Sequence, residues 1–194
     1  MTRTPERQAK VNRVLNYRQP DLRVVLEDIT NAHNANAVLR TCDAAGILHV
    51  EVIQAGPEPL PINGAVTTRA DKWLEIHHHA AAAECFAGLK ASGFQIAVTD
   101  LGSSAIPYTS LDYARPTAVV FGNEHEGVSE AAKRAADVRI KIPMFGMVQS
   151  LNLSVSVGII LYEAIRQRMG RGFFEQRRLS PEEFEDALDR WLDL

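Results

Sequence analysis

The chain predicts an α/β fold with a mostly parallel sheet flanked by helices, and three observations carry that reading. Short, apolar, β-branched runs (Arg23–Glu27, Leu48–Gln54, Phe94–Asp100, Thr117–Phe121, Val138–Ile142) alternate with longer segments of helical character. The run from Arg23 through Ala45 to Gln54 reads as strand, helix, strand, and a crossover of that length joins parallel strands. Three polar, Gly-containing loops, Leu101–Ser104, Gly122–Gly127 and Pro143–Leu151, each follow a strand. Open parallel sheets bind ligands at that end, so these loops are expected to cluster on one edge.

The elements follow in order. Thr4-Pro5-Glu6 opens a helix with an N-cap, a proline at the first position and an acid in the first turn, and Pro20 closes it. Its apolar stripe is thin (Val11, Val14, Leu15), which suits an appendage on the edge of a domain. After the strand at 23–27, Asn31, His33, Asn34 and Asn36 lie in the turn and first helical residues. Ala37, Val38, Cys42 and Ala45 form the helix face, and Gly46 ends it. A Pro- and Gly-rich loop covers 56–63, a strand is expected over Trp73–His77, and a helix over His79–Ala91. Ser129–Ala136 reads as a helix, as does 151–169, which is apolar on every side and therefore expected to be buried. Ser180-Pro-Glu-Glu183 is a capping box that opens a last helix to Leu192. The organisation expected is a basic helical extension (1–20), a central domain (21–169) and a helical extension (170–194).

With 194 residues, 46% of them hydrophobic, the chain suffices for one well-formed core. The net charge of −3 says little about partners, but its distribution is uneven. Arg3, Arg7, Lys10, Arg13, Arg18 and Arg23 crowd the start, and Arg166, Arg168, Arg171, Arg177 and Arg178 crowd the stretch 166–178. Such ends fit either a polyanion gripped by the edges of a fold or two solvated helix faces. Cys42 and Cys85 sit among apolar residues and read as buried thiols of a reducing compartment. No signal-like segment precedes the fold, so the cytoplasm is the expected location and no membrane is expected as a partner.

No Walker or dinucleotide-binding glycine pattern is present. His77-His78-His79 lacks a carboxylate or cysteine at ligand spacing, and neighbouring residues on a strand point to opposite faces, so no metal is expected. What remains is Asn34, Arg40, Glu124, Ser150 and Asn152 beside the Gly-containing loops. An arginine flanked by apolar residues needs an anion, either a structural carboxylate or a substrate phosphate. An internal Arg40–Glu124 ion pair is one way to meet that need. Ser150 and Asn152, entering an apolar helix, are either a cap or part of a ligand site.

Three segments, HNANAVLRTCDAAG (33–46), VVFGNEHEGVS (119–129) and IKIPMFGMVQSLNLSVSVGIILYEAIRQR (140–168), resemble in order the signature motifs of the TrmH group of the SPOUT superfamily, RNA ribose 2′-O-methyltransferases. The resemblance covers nearly the whole chain and departs at Asn34–Ala37, where relatives often carry a bulkier residue after the asparagine. It implies a deep trefoil knot at about 117–165 and S-adenosylmethionine held largely by backbone around Thr99, Leu101, Gly122, Asn123, Glu124, Ile142, Met144 and Leu151. It further implies a homodimer through the knot and helix 151–165, and methylation of guanosine-18 in the D-loop of tRNA. Ribosomal RNA, another tRNA nucleotide, or a non-catalytic RNA-binding role are the alternatives. Catalytic positions carried over are Arg40, Asn34, Glu124, Ser150 and Asn152. Asn34 and Asn152 are expected to orient Arg40 and the methionine end, with Ser150 bridging them. Arg7, Lys10, Arg13, Arg166, Arg168, Arg171, Arg177 and Arg178 are expected to grip RNA.

Overall fold

The computed structural model describes residues 4–54, 60, 62, 67 and 69–194, so the 56–63 loop lies mostly outside the described residues. Its strands are β1 (Leu22–Glu27), β2 (His49–Ile53), β3 (Glu75–His79), β4 (Gln95–Thr99), β5 (Ile106–Pro107), β6 (Thr117–Phe121) and β7 (Val138–Lys141). They form one sheet in the order β3-β2-β1-β6-β4-β7-β5, and every pair is parallel. The helices are α1 (Pro5–Leu15), α2 (Ala32–Ala44), α3 (Ala82–Ala91), α4 (Glu130–Ala135), α5 (Leu153–Met169) and α6 (Pro181–Asp193).

The continuous apolar runs become the central strands because both sheet faces are covered. On one face Val24, Leu26, Val50, Val52, Val119 and Phe121 pack against Val38, Leu39 and Cys42 of α2 and Val157, Ile160, Leu161 and Ala164 of α5. On the other, Val25, Ile96, Val98, Ala118 and Val120 meet Cys85, Phe86 and Leu89 of α3 and Ala132 of α4. Each large aliphatic side chain so buried contributes about 1.5–3 kcal/mol, which outweighs the β-branched residues' modest local preferences. The two terminal extensions pack on each other: Val11 and Leu15 of α1 join Phe184, Ala187, Trp191 and Leu192 of α6 in a third cluster with Leu48 and Leu179.

Several boundaries differ from expectation for physical reasons. Trp73 belongs to a short 3₁₀ turn, Ala70–Trp73, because its ring joins the α1–α6 cluster edge-on to Trp191, with centroids 5.2 Å apart. The strand therefore starts at Glu75 and continues to His79, paired with Ile53, so α3 begins at Ala82. β5 was not foreseen; it is a two-residue edge strand ending in a proline that offers no donor to a further neighbour. α5 starts at Leu153 and is not buried all round: Val155, Tyr162 and Met169, seven residues apart, are exposed at 47, 54 and 62%.

This strand order sets the carboxyl ends of β1, β6, β4 and β7 side by side, so the turns leaving them converge. Asp28 ends β1 in the left-handed region (φ 52°), which an aspartate tolerates, and turns the chain into Asn31, the α2 N-cap. Asn31 Oδ1 accepts from the amides of His33 and Asn34 at 2.9 and 3.1 Å. That cap aims the first turn of α2 at the loop following β6.

Candidate functional site

A cavity of about 510 Å³ opens at the carboxyl ends of β4, β6 and β7, within the range of small-ligand pockets. Thr99, Leu101, Gly122, Asn123, Glu124, Ile142, Met144 and Leu151, the residues expected to bind a cofactor, all line it, as do Asn34, Ser150 and Asn152. Several polar side chains of the wall are spent within it. Thr99 Oγ1 donates to the Val120 carbonyl at 3.0 Å, and Asn123 is spent on its own loop, donating to the Asp28 carbonyl at 2.8 Å and accepting from the amides of His125 and Glu126. Gly122 admits no other residue, since a Cβ there would lie 2.2 Å from the Gly127 backbone. Gly127 itself closes the turn at φ 72° and donates its amide to Asn123 O at 2.9 Å.

Along one side of the cavity runs a chain of side-chain hydrogen bonds. Asn152 Nδ2 donates to Asn34 Oδ1 at 3.0 Å, and Asn34 Nδ2 donates to Glu124 Oε1 at 3.0 Å. Asn152 Oδ1 accepts from the amide and hydroxyl of Ser154 at 2.9 and 2.7 Å, so it is the α5 cap and a member of the chain at once. These bonds fix the orientation of both amides. Glu124 Oε2 is buried and has no hydrogen-bond partner among the described residues. A carboxylate oxygen left so costs free energy that a ligand donor would recover, which makes the cavity a fit for a polar, donor-bearing group.

Two expectations about this machinery are corrected. Asn34 does not orient Arg40 but holds Glu124 and Asn152, while Arg40 stands six residues, about 9 Å, further along α2. Arg40 is exposed, does not line the cavity, and forms no ion pair with Glu124 or any other described residue. Ser150 does not bridge the asparagines; it is exposed on the rim and makes no hydrogen bond among the described residues, and Ser154 holds the place beside Asn152. Sequence reasoning also missed supports. Asp100 lines the cavity, accepts the Gly102 amide and pairs with Arg139, and buried Glu27 accepts the Ser129 amide and hydroxyl at 2.8 and 2.6 Å. The run Asn-Leu-Ser, a short polar residue two before another at a helix start, was the available signal for Ser154.

The basic residues divide. Arg168 is fully buried, bonded to Asp21 Oδ1 at 2.6 Å, to the Tyr113 and Asp21 carbonyls and to Gln19, so it cannot reach RNA phosphate and that expectation is withdrawn. Arg18 is likewise buried, on Asp43 and three carbonyls, and Arg23 is held by Glu51. Arg7 donates to the Trp191 carbonyl. Arg166, Arg171 and Arg178 pair with Glu163, Asp112 and Asp21 but remain partly open to solvent. Lys10, Arg13 and Arg177 are exposed and carry no ion pair among the described residues.

The triple histidine has carboxylate neighbours that linear spacing concealed. Parallel register sets His49 beside Glu75 and Glu51 beside His77. His49 Nδ1 and His77 Nε2 share a hydrogen bond of 3.1 Å, and Glu51 is clamped between Arg23 and His79, each at 2.7 Å. Glu75 is held by Arg190 of α6 at 2.6 Å. His49, Glu75 and His77, and likewise Glu51, His79 and Cys85, bring ligand-type atoms within 4.8 Å of one another along this polar β2–β3 seam. The expectation that no carboxylate or cysteine joins the histidines is therefore corrected, because cross-strand register and α3 supply them.

Against known proteins, the SpoU rRNA Methylase family model matches residues 21–162. The chain is 43% identical over 190 residues to the tRNA (guanosine(18)-2′-O)-methyltransferase of Thermus thermophilus, covering 98% of this chain and 97% of that protein. The crystal structure of the Aquifex aeolicus TrmH/SpoU tRNA modifying enzyme superposes with a TM-score of 0.92 at 40% identity, over 97% of this chain and 95% of that one. The SpoU methyltransferase AviRb from Streptomyces viridochromogenes, solved in complex with the cofactor AdoMet, gives 0.70 at 25% identity over 78% of this chain and 62% of that one. The chain belongs to the SpoU rRNA methylase family.

Proposed function

We propose that this chain transfers a methyl group from S-adenosylmethionine to a ribose 2′-hydroxyl of RNA, at guanosine-18 in the D-loop of tRNA. The observation that carries the reading is the Asn152–Asn34–Glu124 chain along a cavity into which Glu124 brings a buried carboxylate oxygen, Oε2, that has no partner among the described residues. Near full-length likeness to a tRNA-methylating relative favours tRNA over ribosomal RNA.

The loops carrying Leu101, Gly122, Ile142, Met144 and Leu151 would hold the cofactor, and Glu124 Oε2, buried without a partner among the described residues, would accept a hydrogen bond from a donor brought into the cavity. When bound, S-adenosylmethionine supplies an electrophilic methyl on sulfur. Asn34 and Asn152 keep Glu124 in place, so the acceptor is fixed before substrate arrives. Arg40 clamps the phosphate beside the target ribose and stabilises the alkoxide that forms as the 2′-hydroxyl loses its proton. Arginine keeps its own proton at any working pH, so the base is the substrate phosphate, water or Glu124. Lys10, Arg13, Arg166, Arg171, Arg177 and Arg178, with Arg7 beside them, supply the electrostatic grip on RNA.

The same reading includes a trefoil knot at about 117–165, with a 1–20 extension, a 21–169 catalytic domain and a 170–194 extension. It also includes a homodimer and a cytoplasmic location. No helix among the described residues is long and apolar enough to cross a membrane.

Labelled methyl transfer to purified tRNA and to ribosomal RNA, followed by nucleoside mapping, tests the activity. One 2′-O-methylguanosine per tRNA, at position 18, is the expected result. Label confined to ribosomal RNA moves the substrate, and no label in either returns the chain to RNA binding without catalysis.

A further inference from the structure

Away from the cofactor cavity, the end of α1 and the turn after α5 enclose a second cleft of about 330 Å³, lined by Arg13, Tyr17, Phe174, Glu175 and Arg177 among others. We propose that this cleft takes one unpaired nucleotide of the RNA, its base stacked on the Tyr17–Phe174 rings and its phosphate between Arg13 and Arg177. The inference rests on the RNA-methyltransferase reading and adds a contact remote from the reacting ribose.

The residue types are those single-stranded nucleic acid requires: aromatic faces for the base and cations for the backbone. Tyr17 and Phe174 stand with centroids 6.4 Å apart and planes tilted by 42°, and Tyr17 is 47% exposed. A single exposed tyrosine means little. Here two cations flank it, and they are among the few of the basic ends that the fold has not spent. Arg13 makes no ion pair among the described residues, and Arg177 lies over the Phe184 ring at 4.3 Å with no carboxylate partner among them. Arg166, Arg168, Arg171 and Arg178, by contrast, are all paired. Among the described lining residues the carboxylate is Glu175, whose Oε2 lies 3.3 Å from where a Cβ on Gly172 would sit.

The backbone beneath the rings is closely packed. The Gln19 amide donates to Gly46 O at 2.9 Å, and Gly46, at φ 76°, admits the Tyr17 carbonyl to 2.8 Å of where its Cβ would stand. Phe174 Cε1 lies 3.9 Å from the same point. Within α2, from Asn34 to Ala44 just short of Gly46, is ten residues, or about 15 Å at the helical rise. A stacked strand spans that in about four nucleotides.

Binding of an unmodified tRNA transcript, measured from low to moderate salt, tests the proposal. Tyr17→Ala is expected to weaken binding about tenfold without changing the salt slope, because stacking releases no counterions. Tyr17→Phe is expected to bind as wild type, and Arg177→Ala to lower the slope by about 0.9. S-adenosylmethionine affinity stays unchanged in all three. Wild-type methylation with unchanged binding by Tyr17→Ala overturns the cleft alone, as does a Tyr17→Phe variant no better than Tyr17→Ala. Wild type that neither binds nor methylates the transcript removes the methyltransferase reading and the cleft with it.

Discussion

Arg40 and Asn34 share a helix but not a task. Asn34 is buried and hydrogen-bonded on both sides of its amide, whereas Arg40 is exposed and without a counter-ion among the described residues. A residue with that environment contributes little to folding, so its removal is informative about chemistry. Arg40→Ala is expected to lower kcat by about 10²–10³, the usual cost of one donor to a developing oxyanion, while S-adenosylmethionine affinity and thermal stability stay as in wild type. Single-turnover methyl transfer and calorimetric titration of the cofactor read the two separately. Lost cofactor binding, or near-normal turnover, would remove Arg40 from its assigned role.

At the scale of elements, α2 and the entry to α5 were legible because helical period and capping residues are local signals: Asn31 and Asn152 are the caps that short polar side chains in those places suggest. The partners across the site were not legible. Asn34 meets Glu124 and Asn152 across 90 and 118 residues of chain, so residue type could not decide between an Arg40–Glu124 pair and the amide chain observed. Arg168 was legible and was misread: Val157, Leu161, Ala164 and Arg168 fall at helical spacing on the buried face of α5. Charge counting alone put it on the surface. The β2–β3 seam was hidden in a different way, because cross-strand neighbours come from register and not from spacing.

That seam has a consequence for acid stability. Burial, with Arg23 beside the ring, pulls the His49 imidazole down to about 4, against opposing pulls from Glu75 and Glu51 and a supporting one from His77. The unfolded chain binds this proton near pH 6.5, so between there and about 4 the unfolded state holds more protons than the native one. Stability from this group is full above pH 6.5 and declines as pH falls through that window, by up to about 3 kcal/mol. Burial pushes the Asp21 and Glu51 carboxyls up, but Arg168 and Arg178 on Asp21, and His79 and Arg23 on Glu51, outweigh it and hold both below the ordinary range. Their stabilisation is lost only at lower pH, below the ordinary carboxylate values. Urea midpoints between pH 7 and 4.5 are therefore expected to fall in wild type and to flatten in His49→Gln. Parallel curves would place the acid sensitivity elsewhere.

On the scale of the whole molecule, an apolar surface among the described residues is left uncovered beside the cavity. Phe145, Met147 and Val148 stand almost free of the chain at 98, 100 and 62% exposure, in the loop that carries Met144 and Ser150 of the cavity wall. Val155, Tyr162 and Met169 form a second exposed apolar stripe along α5, seven residues apart. Contiguous apolar area of this kind on a folded chain marks an interface, and a stable one needs about 800 Å² from each partner. The proposed homodimer would place this surface across α5 of a second copy, since a two-fold contact uses the same patch twice. Tyr162→Glu places a charge at the middle of that stripe while disturbing nothing buried within the chain. Wild type is expected to sediment as a dimer at micromolar concentration, and the variant at half its mass, with unchanged far-UV circular dichroism and weaker S-adenosylmethionine binding because the 144–150 loop loses its backing. A single-chain mass for wild type, or a dimer that survives Tyr162→Glu, would assign the exposed stripe to another partner.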